Sequence, residues 1–180
     1  RDAATHDAMY FAHAPMTLEQ ARQQRAFAVP MTRQDMLAYA HLLLGAVWQA
    51  QGSDELALAA FQTAMDQRPT SPSAYNEVAW LLATSSDAGV RNPAKAVAVG
   101  EKLVGLWPSA SHLDTLAAAY AADGQYERAV QTEVTALETA SRLDSKLAGY
   151  RVRCAAYVRR EPYIQPRREE LQDRKSTRLN

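Results

Sequence analysis

The sequence predicts an all-α fold of helical hairpins packed side by side, and three observations lead there. Large and small apolar residues recur at helical spacing, most regularly over Ala38–Pro69 (AYAHLLLGAVWQAQGSDELALAAFQTAMDQRP). Between such stretches fall residues that end one helix and start the next: Gly52 before Ser53 and Asp54, Pro69 before Ser71 and Pro72, Asn92 before Pro93, and Gly124. The apolar content, 47%, is rich in alanine, which favours helices that pack closely.

Within Ala38–Pro69, Leu44-Gly45, Trp48, Ala57, Phe61, Ala64 and Pro69 fall at set places. The stretch resembles the tetratricopeptide repeat (TPR), a unit of about 34 residues with the pattern W-x2-L-G-x2-Y…A-x3-F…P. His41 stands where the family usually has Trp, and Trp48 where it usually has Tyr. The pattern has physical reasons. Gly52 tolerates the left-handed conformation that ends a helix. Gly45 and Ala57 let two helices approach, Phe61 and Trp48 fill the space between them, and Pro69 stops the second helix. A single hairpin cannot bury this face, so neighbouring units must stack on it. The resemblance covers about Ala38–Ala140. It implies a short right-handed α-solenoid of antiparallel helix pairs, TPR-like, with a C-terminal capping helix.

Taken in order, residues 1–31 are expected to hold degenerate N-terminal helices amounting to part of a repeat. Asp7–His13 reads as a helix end broken by Pro15. Thr17–Gln20 reads as a capping box opening a helix over Leu18–Ala28. Thr32 and Asp35 cap the helix that leads into the first hairpin, 38–71. The second, 72–109, opens with Ser71 as cap and Pro72 at the first helical position. Tyr75, Val78, Ala79 and Leu82 take the Trp, Leu, Gly and Tyr places of the family pattern, and Ala96, Leu103 and Pro108 carry its second helix. About five residues are inserted over Ser85–Arg91, a variant resembling the AWLLAT…NPAKAV form of bacterial repeat proteins. The third hairpin, 110–141, matches at Leu113, Leu116-Ala117, Tyr120, Gly124, Ala129 and Ala136. There Glu133 replaces the usual aromatic, so looser filling is expected. A capping helix is expected within 142–163, over about Leu143–Arg160. Leu143, Leu147, Tyr150, Cys154 and Tyr157 form its apolar stripe, and Lys146, Arg151, Arg153, Arg159 and Arg160 lie mostly off it. Residues 164–180 are expected to be a disordered or artefactual tail. Its end, RKSTRLN, resembles translated sequencing-adapter read-through, so the chain is expected to be a fragment.

The 20 basic and 20 acidic residues cancel, leaving no overall drive toward nucleic acid or anionic lipid. The balance is uneven: residues 142–180 hold 11 basic and 5 acidic side chains (+6), and residues 1–141 hold 9 and 15 (−6). No run of about 18 apolar residues occurs, so no membrane-spanning helix is expected. The single cysteine, Cys154, excludes an internal disulfide framework and a cysteine-based zinc site. It leaves the compartment open between cytoplasm and periplasm.

The motif search turns up no phosphate-binding glycine loop, no H-E-x-x-H, no G-x-S-x-G and no C-x-x-C. His6, Asp7 and His13 read as a solvated terminus rather than a metal site. His41 reads as a half-buried structural histidine and His112 as a helix-start residue. Asp114 and Glu77 have no partner arranged as an acid–base pair, and Cys154 on the apolar stripe reads as inert. No catalytic, metal or cofactor site is expected.

By resemblance, the first helix of each unit lines a concave groove. Its expected lining includes Tyr39, Leu42 and Gln49 from the first unit, Asn76 and Trp80 from the second and Asp114 from the third. No Lys or Arg occurs in 38–51, 72–84 or 110–123, so the groove is expected to lack the basic clamp with which some family members hold acidic chaperone tails. The expectation is a non-catalytic protein–protein interaction scaffold that takes a neutral peptide or partner helix, with Tyr39 and Trp80 as aromatic anchors. The alternative is an accessory repeat segment of a larger enzyme or membrane protein. Nucleic-acid contact through the basic 142–168 end is the weakest reading, because stacking aromatics are few there.

Overall fold

The computed structural model describes residues 32–141 and 144–166. The calls on residues 1–31, on Leu143 and on the tail beyond Pro166 lie outside the described residues. The chain divides into two units, Arg1–Met36 and Leu37–Asn180. The described part of the first is the opening turn of helix α1. There Thr32 Oγ1 accepts from the Asp35 amide at 3.1 Å while the Asp35 carboxylate accepts from the Thr32 amide at 3.0 Å, a reciprocal cap.

The described residues are all helical, with no strand. Seven helices follow in order: α1 Arg33–Ala50, α2 Asp54–Gln67, α3 Pro72–Thr84, α4 Pro93–Leu106, α5 Ala110–Ala122, α6 Tyr126–Thr139 and α7 Leu147–Val158. From α2 onward each packs on its sequence neighbour, and α3 with α5 and α5 with α7 also touch. The packing is repeat-like, since even helices sit between successive odd ones. No described helix is long and apolar enough to cross a membrane.

Helix starts follow cap chemistry. Ser71, Asn92 and Ser109 each accept a hydrogen bond from the amide three residues on, Ala74, Lys95 and His112 respectively. Helix ends repeat as well. Gly52 has φ 78° and Gly124 φ 79°, and Arg160 takes the same left-handed conformation at φ 60°. In each case the next amide reaches back to a carbonyl: Ser53 to Trp48, Gln125 to Tyr120 and Glu161 to Ala156. This is the Schellman ending, so α1, α5 and α7 stop in one way. Helix α3 departs from it. Ser85 continues into the inserted loop, whose residues are pinned rather than loose. Ser85 Oγ donates to Asp54 at 2.5 Å, Arg91 donates to the Ser85 carbonyl at 2.6 Å, and Val90 is buried.

The core runs through Phe61, Val78, Leu81, Leu82, Leu116, Tyr120 and Tyr157, interleaved with alanines. Gly45 lies under Phe61 so closely that a methyl group on it would collide with the ring. This is the close approach expected of that glycine.

Two expectations need correction. The last helix begins at Leu147 rather than near Leu143, because Asp144 turns the chain first. Its side chain accepts from the Lys146 amide at 2.8 Å and its carbonyl from the Leu147 amide. Residues 164–166 are not a free tail: the Gln165 amide donates to the Thr84 carbonyl at 2.7 Å. Glu133, which stands where the family pattern has an aromatic, is fully buried at 0% exposure.

Candidate functional site

Helices α3, α5 and α7 share a face, and on it lies a cleft of about 380 Å³. Asn76, Glu77 and Trp80 line it from α3, Ser111, Asp114 and Thr115 from α5, and Ser145, Lys146, Gly149 and Arg153 from α7 and the turn before it. The periodicity of each helix puts these residues together. Asn76 and Trp80 are one helical turn apart, as are Ser111 with Thr115 and Gly149 with Arg153.

Polar contacts knit the lining across helices. Thr115 Oγ1 donates to Asn76 Oδ1 at 2.8 Å, tying α5 to α3. The Asn76 amide reaches Glu77 at 3.4 Å, and Lys146 Nζ reaches Ser111 Oγ at 3.3 Å. Burial pushes the Glu77 carboxyl above its ordinary range, and the Asn76 hydrogen bond and the Lys146 charge work against that.

Beneath the cleft sits an ion pair. Arg153 Nε donates to Asp114 Oδ1 at 2.5 Å, with both side chains largely withdrawn from solvent. Burial raises the Asp114 pKa and the Arg153 charge opposes it. Glu133 lies behind Asp114 with both carboxyl oxygens buried and without a hydrogen-bond partner. Its pKa is pushed up to about 9, first by burial and then by the Asp114 charge. That favours the neutral form of Glu133 at pH 7, and the Arg153 charge opposes the rise at both acids. The hydroxyls of Tyr150 and Tyr157 are likewise buried without a partner. Burial, with Glu133 second, raises the Cys154 thiol above its ordinary pKa.

Arg153 also organises aromatics. Its guanidinium lies 5.4 Å from the ring centroids of both Trp80 and Tyr163, and the two rings are 5.8 Å apart. Arg153 was expected on the solvated side of the last helix. It is half-buried instead, because Asp114 offers it a partner and its guanidinium sits over the two rings.

Of the six groove residues named from the sequence, Asn76, Trp80 and Asp114 meet at the cleft and Tyr39, Leu42 and Gln49 do not line it. Tyr39 is 55% exposed on α1, whereas Leu42 packs against the core. Asp114 contributes as a buried ion-pair partner rather than an open polar group. The cleft also contains cations, Lys146 and Arg153, supplied by the last helical segment rather than by the helices searched for a basic clamp. Elsewhere on that segment Arg159 pairs with Glu161 and Arg160 with Glu127, so these two arginines have acidic neighbours of their own. His41 is half-buried with Nδ1 at 2.9 Å from the Leu37 carbonyl and 3.1 Å from Gln67 Oε1, so Nδ1 carries a proton and donates. His112 Nδ1 lies 2.5 Å from the Trp107 carbonyl.

Sequence reasoning missed the roles of Arg153, Glu133 and Tyr163. Glu133 had a signal, a carboxylate where the helical pattern demands an apolar residue. Arg153 lies 39 residues from Asp114 and had none.

Compared with protein-family models and with curated proteins, the chain matches none.

Proposed function

We propose that the chain is a non-catalytic interaction module of TPR-like design whose α3–α5–α7 face takes an extended peptide segment. The observation that carries this reading is the convergence of Asn76, Trp80 and Asp114, named from the repeat pattern, on one open cleft with Lys146 and Arg153. The cleft offers an aromatic anchor, side-chain amide and hydroxyl groups for a peptide backbone, and one acidic and one basic rim group, Glu77 and Lys146. Such a mixture suits a neutral peptide better than an acidic tail, because Arg153 is already neutralised by Asp114. The buried acids also argue for structure over catalysis: Asp114 positions Arg153, and Glu133 lies out of reach of any ligand in the cleft. In this reading the odd helices line the inner curve of a short solenoid.

The test is peptide display against the purified chain, followed by polarisation assays on the enriched peptides. Trp80→Ala and Asn76→Ala are each expected to weaken binding by about tenfold or more, the loss of one interface anchor. Val134→Ala on the outer face is expected to leave it unchanged. Enriched peptides whose affinity ignores both cleft substitutions, in variants that melt like the parent, would sink the reading.

A further inference from the structure

The face proposed for a partner is already partly occupied by the chain itself. After α7 the left-handed Arg160 reverses the chain, and Glu161–Pro166 (EPYIQP) runs back to α3 without regular structure. Two contacts seat it. Tyr163 lies against Trp80 with Arg153 beside both rings, and the Gln165 amide donates to the Thr84 carbonyl at the end of α3. The hold is light. Glu161 and Pro162 are exposed, Tyr163 is only half-buried and Ile164 is 38% exposed. Pro162 and Pro166 bracket the segment and favour an extended backbone at low entropic cost. Trp80 and Arg153 are the wall between this segment and the open cleft, so a ligand reaching across Trp80 meets the segment.

We propose that Glu161–Pro166 is a built-in occupant of the binding face, and that the external partner is an extended segment of the same chemistry, proline-flanked with a tyrosine-like ring for Trp80. The partner displaces the segment on binding. This rests on the peptide-binding reading above and adds to it the ligand class and an internal competitor. A short tether gives the cis segment an effective concentration of about 1 mM. With an intrinsic dissociation constant on the order of 0.1 mM, it is seated about nine-tenths of the time and weakens any competitor about tenfold.

The probe is a fluorescein-labelled peptide of residues 160–166, added in trans to the full chain. The comparison protein is the full chain carrying Tyr163→Ala and Gln165→Pro, which remove the ring contact and the amide donor. The variant is expected to bind the peptide about tenfold tighter than the parent, and a further Trp80→Ala to abolish the gain. Equal binding by parent and variant, or binding by neither with melting curves unchanged, overturns the proposal. Should the double variant fail to fold, hydrogen exchange on the parent decides. Millimolar unlabelled peptide is expected to accelerate exchange at the Gln165 amide, and an unchanged rate overturns the proposal. If displayed peptides bind through Trp80 while this peptide does not, the occupant idea fails and the peptide-binding reading survives.

Discussion

At the scale of single residues, Glu133 shows how burial sets chemistry. A carboxyl in a packed interior, beside Asp114, keeps its proton up to about pH 9, whereas in the unfolded chain it releases it near the ordinary value of 4.5. Between those two values the folded state binds the extra proton. Stability is therefore greatest below about pH 4.5, as far as this group is concerned, and falls as pH rises toward 9. Glu133→Gln removes the titration. Thermal melts at pH 5 and pH 8 are expected to show a smaller loss for the variant, with a gain over the parent at pH 8, because the parent must take up a proton to fold and the variant need not. Equal slopes would mean that Glu133 is ionised in the fold. Two glycines give a sharper steric contrast. Gly45→Ala drives a methyl into Phe61, and overpacking of about 1–3 kcal/mol outweighs the helix-propensity gain of about 1 kcal/mol. At Gly105 in α4 nothing lies within 4 Å of an added methyl, so Gly105→Ala is expected to stabilise by up to about 1 kcal/mol. Urea melts of the two variants are expected to shift in opposite directions.

At the scale of elements, the helix ends carry the repeat. Glycine occupies the left-handed position after α1 and α5, where it has no steric cost. After α7 the same position holds Arg160, whose strain in that conformation is about 1–2 kcal/mol. Its exposed pairing with Glu127 offsets little of this. Arg160→Gly is expected to raise the melting temperature by the equivalent of about 1 kcal/mol without changing the helix content seen by circular dichroism. A fall would show that the Glu127 pair outweighs the backbone strain. The inserted loop after α3 illustrates the opposite device. It lacks a glycine stop and is fixed instead by Arg91 on the Ser85 carbonyl within the loop and by Ser85 on Asp54, 31 residues earlier.

At the scale of the whole molecule, burial is uneven along the array. Every residue from Asp114 to Ala121 in α5 is buried, whereas α1 buries Ala38 and Gly45 and leaves Met36, Leu37, Tyr39, Leu43, Leu44 and Val47 exposed. Local opening follows such differences, because a helix with little buried area has little to lose by fraying. Hydrogen exchange is expected to be slowest in α5 and fastest in α1. Uniform protection would show a single cooperative unit instead of a graded array.

Features that depend on neighbours a few residues apart are readable from the chain alone. The caps at Ser71 and Asn92, the left-handed Gly52 and the close contact at Gly45 are legible, because their chemistry acts within one turn or one hairpin. The site was half legible for the same reason: Asn76 and Trp80 follow from one helix's period. Tertiary structure alone decided the rest. Arg153 reaches Asp114 across 39 residues, Tyr163 returns to Trp80, and Glu133 loses its charge inside the packing. These contacts join residues tens of positions apart, and their meeting is set by side-chain packing, which local spacing does not encode.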